Sequence, residues 1–229
     1  MSADDLFAFL LSLKVAATAT LFGLPLALLT AKILARRNDR RGLGLSLLDA
    51  AVHLPLVLPP VATGYGLLLL LGRHGPIGAV LAKAGIVFAF DWTGAALAAG
   101  IMAFPLMVRP IRMAIEAIDP EVEDSARTLG AGPVTRFLRI TAPLAMPGLI
   151  AGGVLGFAKA LGEFGATITF VGAIPRATLT LPTAIYQAVQ APGGEAKAIA
   201  LCAVSAALAF AAVLVSDAAG RWAARRVGR

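Results

Sequence analysis

The chain has 229 residues, of which 59% are hydrophobic and only 14% are charged. Soluble domains carry about 25% charged residues, so this composition, with a mean hydropathy of +0.84, excludes an ordinary soluble protein and predicts one membrane domain over residues 1–229. The net charge of +7 lies in short runs between long apolar segments, which is typical of membrane topology signals and not of nucleic-acid binding.

Five segments are long and apolar enough to cross a bilayer, whose hydrocarbon core of about 30 Å needs about 20 residues of helix. They are residues 15–34, 50–71, 88–108, 142–162 and 198–216. Asp4 and Asp5 stand where a cleaved signal peptide needs positive charge, so we expect the first segment to stay in the membrane. Residues 164–175 are apolar but too short to span, and we interpret them as a continuation of the fourth segment or a re-entrant piece. The single cysteine, Cys202, excludes an intrachain disulfide and a metal cluster built on cysteines.

The basic residues predict the orientation of these spans. The loop after the first segment and the loop after the third hold five each, and the C-terminal tail holds four, so 14 of the 20 lysines and arginines fall in three regions. Five spans place all three regions on one side, and short basic loops are cytoplasmic. We therefore expect a multi-pass protein of the inner membrane with its N-terminus outside and its C-terminus in the cytoplasm.

Prolines interrupt the predicted spans. The second segment contains Pro55, Pro59 and Pro60, and the fourth contains Pro143 and Pro147. Such breaks are tolerated where neighbouring helices or a cavity satisfy the freed backbone groups, and transporters use them often. The breaks favour a transporter over a simple anchor, with ordinary helix kinking as the alternative.

The loop at residues 109–141 predicts two short helices joined at a glycine. Asp119 is a suitable N-cap, and Pro120 suits the first helical position. Gly130 is placed to end that helix, and Pro133 can begin a second one that runs to Pro143, where the fourth span opens. One apolar stripe repeats at helical spacing in the first helix: Val122, Ala126 and Leu129. Such a hairpin either transmits force from a cytosolic partner or packs on its own helix bundle.

The same loop carries a gapped motif: Asp124-Ser125-Ala126, Gly130 after three residues, Ile140 after nine more, and Ala142-Pro143 after one more. It resembles the cytoplasmic signature of ABC-importer permeases, in which Glu, Ala and Leu stand where this chain has Asp124, Ser125 and Ala142. The resemblance implies that the loop is the coupling helix that docks on an ATPase subunit. Its candidate residues are Glu123, Asp124, Ser125, Ala126, Arg127, Thr128, Leu129, Gly130, Ile140 and Pro143.

A second run narrows the substrate class. Residues 160–171, Ala-Leu-Gly-Glu-Phe-Gly-Ala-Thr-Ile-Thr-Phe-Val, resemble molybdate permeases, whereas sulfate permeases share only the Gly-Glu-Phe-Gly core. Residues 53–60, 127–132 and 191–195 also match the molybdate branch. The resemblance covers nearly the whole chain and implies an all-α permease bundle of about five spans that imports molybdate, or tungstate. A sulfate or thiosulfate permease is the alternative.

The partners follow from the same resemblance. It implies a homodimer with two cytosolic ABC ATPase subunits, which bind ATP-Mg, and a periplasmic oxyanion-binding protein, all assembled in membrane lipid without nucleic acid. Two-fold dimers are also the commonest assemblies. The sequence contains no Gly-x-x-x-x-Gly-Lys-Ser/Thr phosphate loop, so we expect ATP hydrolysis in the partner and no cofactor in this chain.

Four polar residues are candidates for the translocation path: Lys159, Glu163, Thr167 and Thr169. Lys159 and Glu163 are four residues apart and share a helix face. A lone charge at bilayer depth costs at least about 2.5–3.5 kcal/mol, so we expect the two to pair, either beside the path or as a structural pair that fixes helix rotation. The threonine hydroxyls could donate hydrogen bonds to an oxyanion.

Two other classes of function are weighed against transport. An intramembrane enzyme needs a nucleophile with a base, or two acids, that converge within the membrane. His53, His74, Asp49 and Asp91 offer no such set, because the aspartates come from opposite ends of their spans and His74 lies in an outer loop. We expect no catalytic or metal-binding residue, and we expect His53 to make a helix–helix contact. A passive channel has no need of a docking hairpin.

Overall fold

The computed structural model describes residues 2–35 and 42–226, which form twelve α-helices, one π-helical turn at Phe137–Thr141 and no strand. The all-α prediction is confirmed. The helices are α1 Ala3–Leu34, α2 Leu43–Val57, α3 Pro60–Leu71, α4 Gly78–Lys83, α5 Trp92–Glu116, α6 Pro120–Thr128, α7 Pro133–Arg136, α8 Ala142–Leu144, α9 Met146–Leu161, α10 Gly165–Val171, α11 Leu181–Gln190 and α12 Glu195–Arg226.

Three stretches of helix are long and apolar enough to cross a membrane alone: α1, α5 and Glu195–Ala212 of α12. Two bent pairs could each form one more span, namely α2 with α3, bent by 114°, and Pro133–Leu144 with α9, bent by 69°. The predicted five spans are therefore the upper limit, reached only if each bent pair crosses once. Part of the tail that predicts the orientation, including Arg229, lies outside the described residues.

Two of the predicted apolar segments differ in extent from the helices that contain them. The first helix begins at Ala3 and not near residue 15, because Ser2 closes a capping box: its Oγ accepts from the Asp5 amide (3.2 Å), and Asp5 Oδ2 accepts from the Ser2 amide (2.7 Å). The fourth segment, predicted over residues 142–162, is divided between α8 and α9, because the chain bends at Ala145 between them.

The bend between α2 and α3 has a local cause. Pro59 and Pro60 follow Leu58, and a residue that precedes proline is driven out of the helical region. Leu58 and Pro59 accordingly have extended ψ angles of 142° and 131°. Residues 50–71 therefore form two helices, and Pro60 begins the second at a position where its missing amide costs nothing.

A seam of glycines joins α9 to α5 in the core. Gly148, Gly152 and Gly156 recur every four residues on α9, and all three are buried. A Cβ atom at Gly152 would lie 2.7 Å from the carbonyl oxygen of Met107, far inside van der Waals contact. Small residues let membrane helices approach closely, so this seam fixes the distance between the two helices around which α1 packs.

Residues 164–175 contain a separate helix, α10, and do not continue α9. The break falls at residues 162–164, and Gly172 ends α10 with a φ of +71°. The short helix packs against α3 at close range, since a Cβ atom at Gly165 would lie 2.7 Å from Pro60 Cβ, and one at Gly64 would meet the backbone of Ala166. Whether α10 is re-entrant in a bilayer stays a prediction.

Ion pairs tie the two ends of the bundle. At one end, Asp4 Oδ1 lies 2.9 Å from Arg176 Nε, and Asp5 Oδ1 lies 2.7 Å from Lys197 Nζ, which joins the start of α1 to the chain around α11 and α12. At the other end, Arg112 Nη1 of α5 lies 3.1 Å from Asp49 Oδ1 of α2. His53 Nδ1 lies 2.8 Å from the Asp49 carbonyl oxygen of its own helix, and the helix–helix contact of His53 stays a prediction.

Candidate functional site

The first helix of the predicted hairpin has the expected caps. Asp119 Oδ1 accepts from the Glu121 amide (3.0 Å), and Pro120 occupies the first turn. At the other end, the Ala131 amide donates to the Ala126 carbonyl (3.0 Å), and the Gly130 amide donates to the Arg127 carbonyl (3.1 Å). These two bonds make a Schellman motif. It requires a left-handed residue at Gly130, whose φ is +81°.

The hairpin comprises residues 119–144. The exposed apolar side chains of Leu129, Val134 and Leu138 form what we call its tip. Leu129 is 88% exposed, Val134 68% and Leu138 61%, and Val122 of the predicted stripe is also exposed. Val122 and Leu129 of the stripe are therefore exposed and only Ala126 is half-buried, which argues against the alternative of a hairpin that covers its own helices. An exposed group of large apolar side chains is typical of a surface that contacts another protein or the membrane.

One contact braces the hairpin internally, and one contact attaches it to the bundle. Thr141 Oγ1 donates to Glu123 Oε1 (2.8 Å), which joins the π-helical turn to α6. Lys32 Nζ of α1 lies 3.8 Å from the centre of the Phe137 ring, a cation–π contact that joins the same turn to the bundle. The hairpin is therefore held to α1 at Phe137 and is exposed at its tip.

The remaining predicted hairpin residues are mostly in contact with water. Asp124 and Arg127 form a pair at 3.8 Å, and both side chains are about two-thirds exposed, so the pair contributes little to stability. Thr128 Oγ1 donates to the Ser125 carbonyl (2.7 Å). Pro143 is exposed, and Ile140 is half-buried.

Sequence reasoning missed the π-helical turn at Phe137–Thr141, which stands immediately before the bend at Ala145. The Ala142 amide bonds to the Phe137 carbonyl, five residues back. Pro143 is the sequence feature that could have indicated this turn, because proline has no amide hydrogen to continue the regular backbone hydrogen bonds of an α-helix. Single π-helical turns occur frequently at functional sites, and this one lies between the exposed tip of the hairpin and α9.

The candidate path residues gather at the break between α9 and α10. Lys159 Nζ lies 2.6 Å from Glu163 Oε2, so the predicted pair forms. Glu163 Oε1 accepts from the Ala166 amide (3.0 Å) and thereby caps α10. The Glu163 side chain is 1% exposed and that of Lys159 is 30% exposed. The pair therefore holds the two helices together, with the lysine as its accessible member.

The two threonines of the path both bond to the backbone of their own helix. Thr167 Oγ1 donates to the Phe164 carbonyl (2.8 Å), and Thr169 Oγ1 donates to the Gly165 carbonyl (2.8 Å). A hydroxyl has one hydrogen to donate, so either side chain must rotate to serve an oxyanion. Nearby on α3, Thr63 Oγ1 is buried without a hydrogen-bond partner among the described residues. No motif in the sequence singles out Thr63.

Within residues 2–35 and 42–226, no group of three or more His, Cys, Asp or Glu side chains is placed to hold a metal ion.

Comparison with known proteins agrees with this architecture. The chain is 53% identical over 223 residues to the molybdenum transport system permease protein ModB of Escherichia coli K12, across 97% of this chain and 96% of that one. It is 35% identical over 217 residues to the sulfate transport system permease protein CysT of Salmonella typhimurium, across 93% of this chain and 77% of that one.

A solved structure shares the fold. A bacterial alginate ABC transporter, in complex with an alginate-pentasaccharide-bound periplasmic protein, matches with a TM-score of 0.76 at 19% identity and covers 100% of this chain and 81% of that one. The family model of the binding-protein-dependent transport system inner membrane component matches residues 23–229. The chain belongs to that family of inner-membrane transport components.

Proposed function

We propose that this chain is the membrane-spanning permease subunit of an ATP-driven importer that carries molybdate, with tungstate as a close analogue. The observation that carries the proposal is the near-complete match at 53% identity to a molybdenum permease, against 35% to a sulfate permease. The run at residues 160–171 supports the same choice. Transport proceeds by alternating access, and no catalytic residue is assigned to this chain.

The tip of the hairpin docks on a cytosolic ATPase subunit, which binds and hydrolyses ATP-Mg. Support comes from the exposed Leu129, Val134 and Leu138 at the tip, and from the Lys32–Phe137 contact that attaches the hairpin to α1. A conformational change needs contacts that differ between two states. Closure of an ATPase pair would move the tip, and the π-helical turn would carry that movement to the bend at Ala145.

Two copies of the chain form a homodimer, and a periplasmic oxyanion-binding protein delivers the substrate. Support for the dimer is the exposed apolar face of α3, on which Val61 and Tyr65 are each more than half exposed. Because α3 packs against α10, a second copy that met this face would enclose the region of Lys159 and Glu163 from both sides.

Lys159, Glu163, Thr167 and Thr169 line the translocation path. Glu163 would repel an oxyanion on its own, but the Lys159 ammonium and the Ala166 amide compensate its charge. Lys159 then presents its exposed part to the substrate. The alternative is a purely structural pair that caps α10.

The orientation of the chain can be tested with reporter fusions. We expect an alkaline phosphatase fusion at residues 73–76 to be active, because this loop lies outside the cell if short basic loops are cytoplasmic. A fluorescent-protein fusion after Arg229 should be bright, as cytoplasmic fusions are. Both reporters on one side of the membrane would contradict five spans.

The substrate can be tested with the complete complex in proteoliposomes, supplied with its ATPase and its binding protein. We expect molybdate and tungstate to stimulate ATP hydrolysis severalfold, because their tetrahedral dianions are close in size, and we expect sulfate to have little effect. The matched control is the same complex without the binding protein. Stimulation by sulfate alone would assign the chain to sulfate import.

A further inference from the structure

An apolar groove of about 710 Å³ lies between α1, α2 and α5. Among the described residues that line it, only Thr18 and Thr93 are polar, and each is the first lining residue along its helix, Thr18 midway along α1 and Thr93 at the start of α5. Phe22 and Leu26 form part of the rim and are 69% and 58% exposed, so the groove opens sideways from the bundle.

Small side chains leave the groove unfilled. Ala19 and Gly23 of α1 face Ala96 and Gly100 of α5 across its floor, and the nearest atom to a Cβ built at Gly100 is Ala19 Cβ, at 3.7 Å. Protein interiors are packed as densely as organic crystals, so an apolar space of this size in a membrane protein is a site for an apolar guest.

A positive charge stands at the polar end of the groove. Lys14 lies one helical turn before Thr18, and its Nζ is 3.5 Å from the centre of the Trp92 ring, next to Thr93. Among the described residues Lys14 forms no ion pair, and the neighbouring carboxylate of Asp91 accepts from the Thr93 amide (2.9 Å) as the N-cap of α5. A cation–π contact leaves the charge of the lysine uncompensated.

The length of the groove matches one leaflet of a bilayer. From Thr18 to Leu26 the lining spans about 12 Å along α1, and from Thr93 to Phe104 about 16 Å along α5, at 1.5 Å per residue. Half of a hydrocarbon core of about 30 Å is about 15 Å. Tryptophan and lysine are the side chains that mark the headgroup level of membranes, so Lys14 and Trp92 stand where a headgroup would be.

We propose that this groove binds a phospholipid with an anionic headgroup, with the phosphate beside Lys14 and one acyl chain along α1 and α5. The charge of Lys14 selects a lipid over an apolar helix of a second copy, which would leave the ammonium without a partner. The site lies apart from Lys159, Glu163 and the hairpin, so the proposal is independent of the transported ion.

The test is native mass spectrometry of the purified permease–ATPase complex, titrated with phosphatidylglycerol or phosphatidylethanolamine of identical acyl chains. We expect phosphatidylglycerol to bind more tightly than phosphatidylethanolamine. Lys14→Gln should weaken the binding of phosphatidylglycerol about fivefold, which is the contribution of one lysine near an anionic surface.

Ala51→Phe, at an exposed lining residue of α2, should fill the groove and weaken the binding of both lipids. Lys83→Gln, at an exposed lysine of α4, is the matched control and should change nothing.

Two kinds of outcome, one from the lipid titrations and one from cross-linking, would overturn the proposal. One is equal binding of the two lipids, or an equal effect of Lys14→Gln and Lys83→Gln on phosphatidylglycerol. The other is a disulfide between two copies of an Ala51→Cys, Cys202→Ser variant, which would show that a second copy of this chain covers the groove.

Discussion

Replacing Gly130 by valine should reduce substrate-stimulated ATP hydrolysis and cellular uptake together, to about a tenth of wild type or less. Gly130 has a φ of +81°, and a left-handed conformation costs an L-residue roughly 1–2 kcal/mol, more for a β-branched one. About 1.4 kcal/mol corresponds to a tenfold change in an equilibrium. The valine would break the Schellman motif and displace the tip of the hairpin, while the spans would still insert.

Gly132→Val is the matched control for this experiment. Gly132 lies two residues away, has φ −65° and ψ 164°, and has open space where a side chain would stand, so valine fits there without strain. The measurements are copurification through a tagged ATPase and uptake in cells. Asp124→Lys, which reverses a charge on the exposed face of α6, should weaken copurification in the same way. Wild-type uptake by Gly130→Val would show that the hairpin does not couple the two proteins.

Gly152→Leu should destabilise the permease itself, by at least about 3 kcal/mol, the upper range for overpacking a core. A Cβ atom at this position would lie 2.7 Å from the Met107 carbonyl oxygen. Backbone cannot move aside as a flexible side chain can, so α9 and α5 would have to separate. We expect little monodisperse complex after detergent extraction and a sharply lower thermal midpoint.

Gly153→Leu tests the same helix at the next residue. A Cβ atom at Gly153 would meet only the side chain of Leu24, whose Cδ2 lies at 3.5 Å, which is ordinary contact. Leucine should therefore be tolerated there, and the thermal midpoint of the Gly153→Leu variant should stay close to that of the wild type. If the two variants have the same midpoint, the glycine seam does not determine how closely α9 approaches α5.

The caps of the hairpin were predictable because their causes are local. Asp119, Pro120 and Gly130 act on backbone groups within a few residues, so sequence spacing alone locates the start and the end of α6. The Lys159–Glu163 pair was predictable for the same reason, since a spacing of four residues places both side chains on one helix face.

The geometry between helices was not predictable from these rules. Pro59 and Pro60 indicate where the chain must break, but the angle of 114° depends on the packing of α3 against α10. Residues 164–175 do not continue α9. Glu163 fits a helical pattern in the sequence, but its side chain accepts from the Ala166 amide and so caps a new helix, α10. The groove beside Lys14 arises from small residues on α1 and α5 that are far apart in sequence.

On the proposed docking, the exposed apolar tip of the hairpin would tie the lifetime of the permease in a cell to the supply of its ATPase. A copy without a partner presents Leu129, Val134 and Leu138 to water, and such patches attract aggregation, chaperones and proteases. Surplus permease would be degraded until the numbers of the two proteins match. The ratio of subunits would then be set after synthesis, by the survival of occupied copies, and not by balanced translation of the two messages.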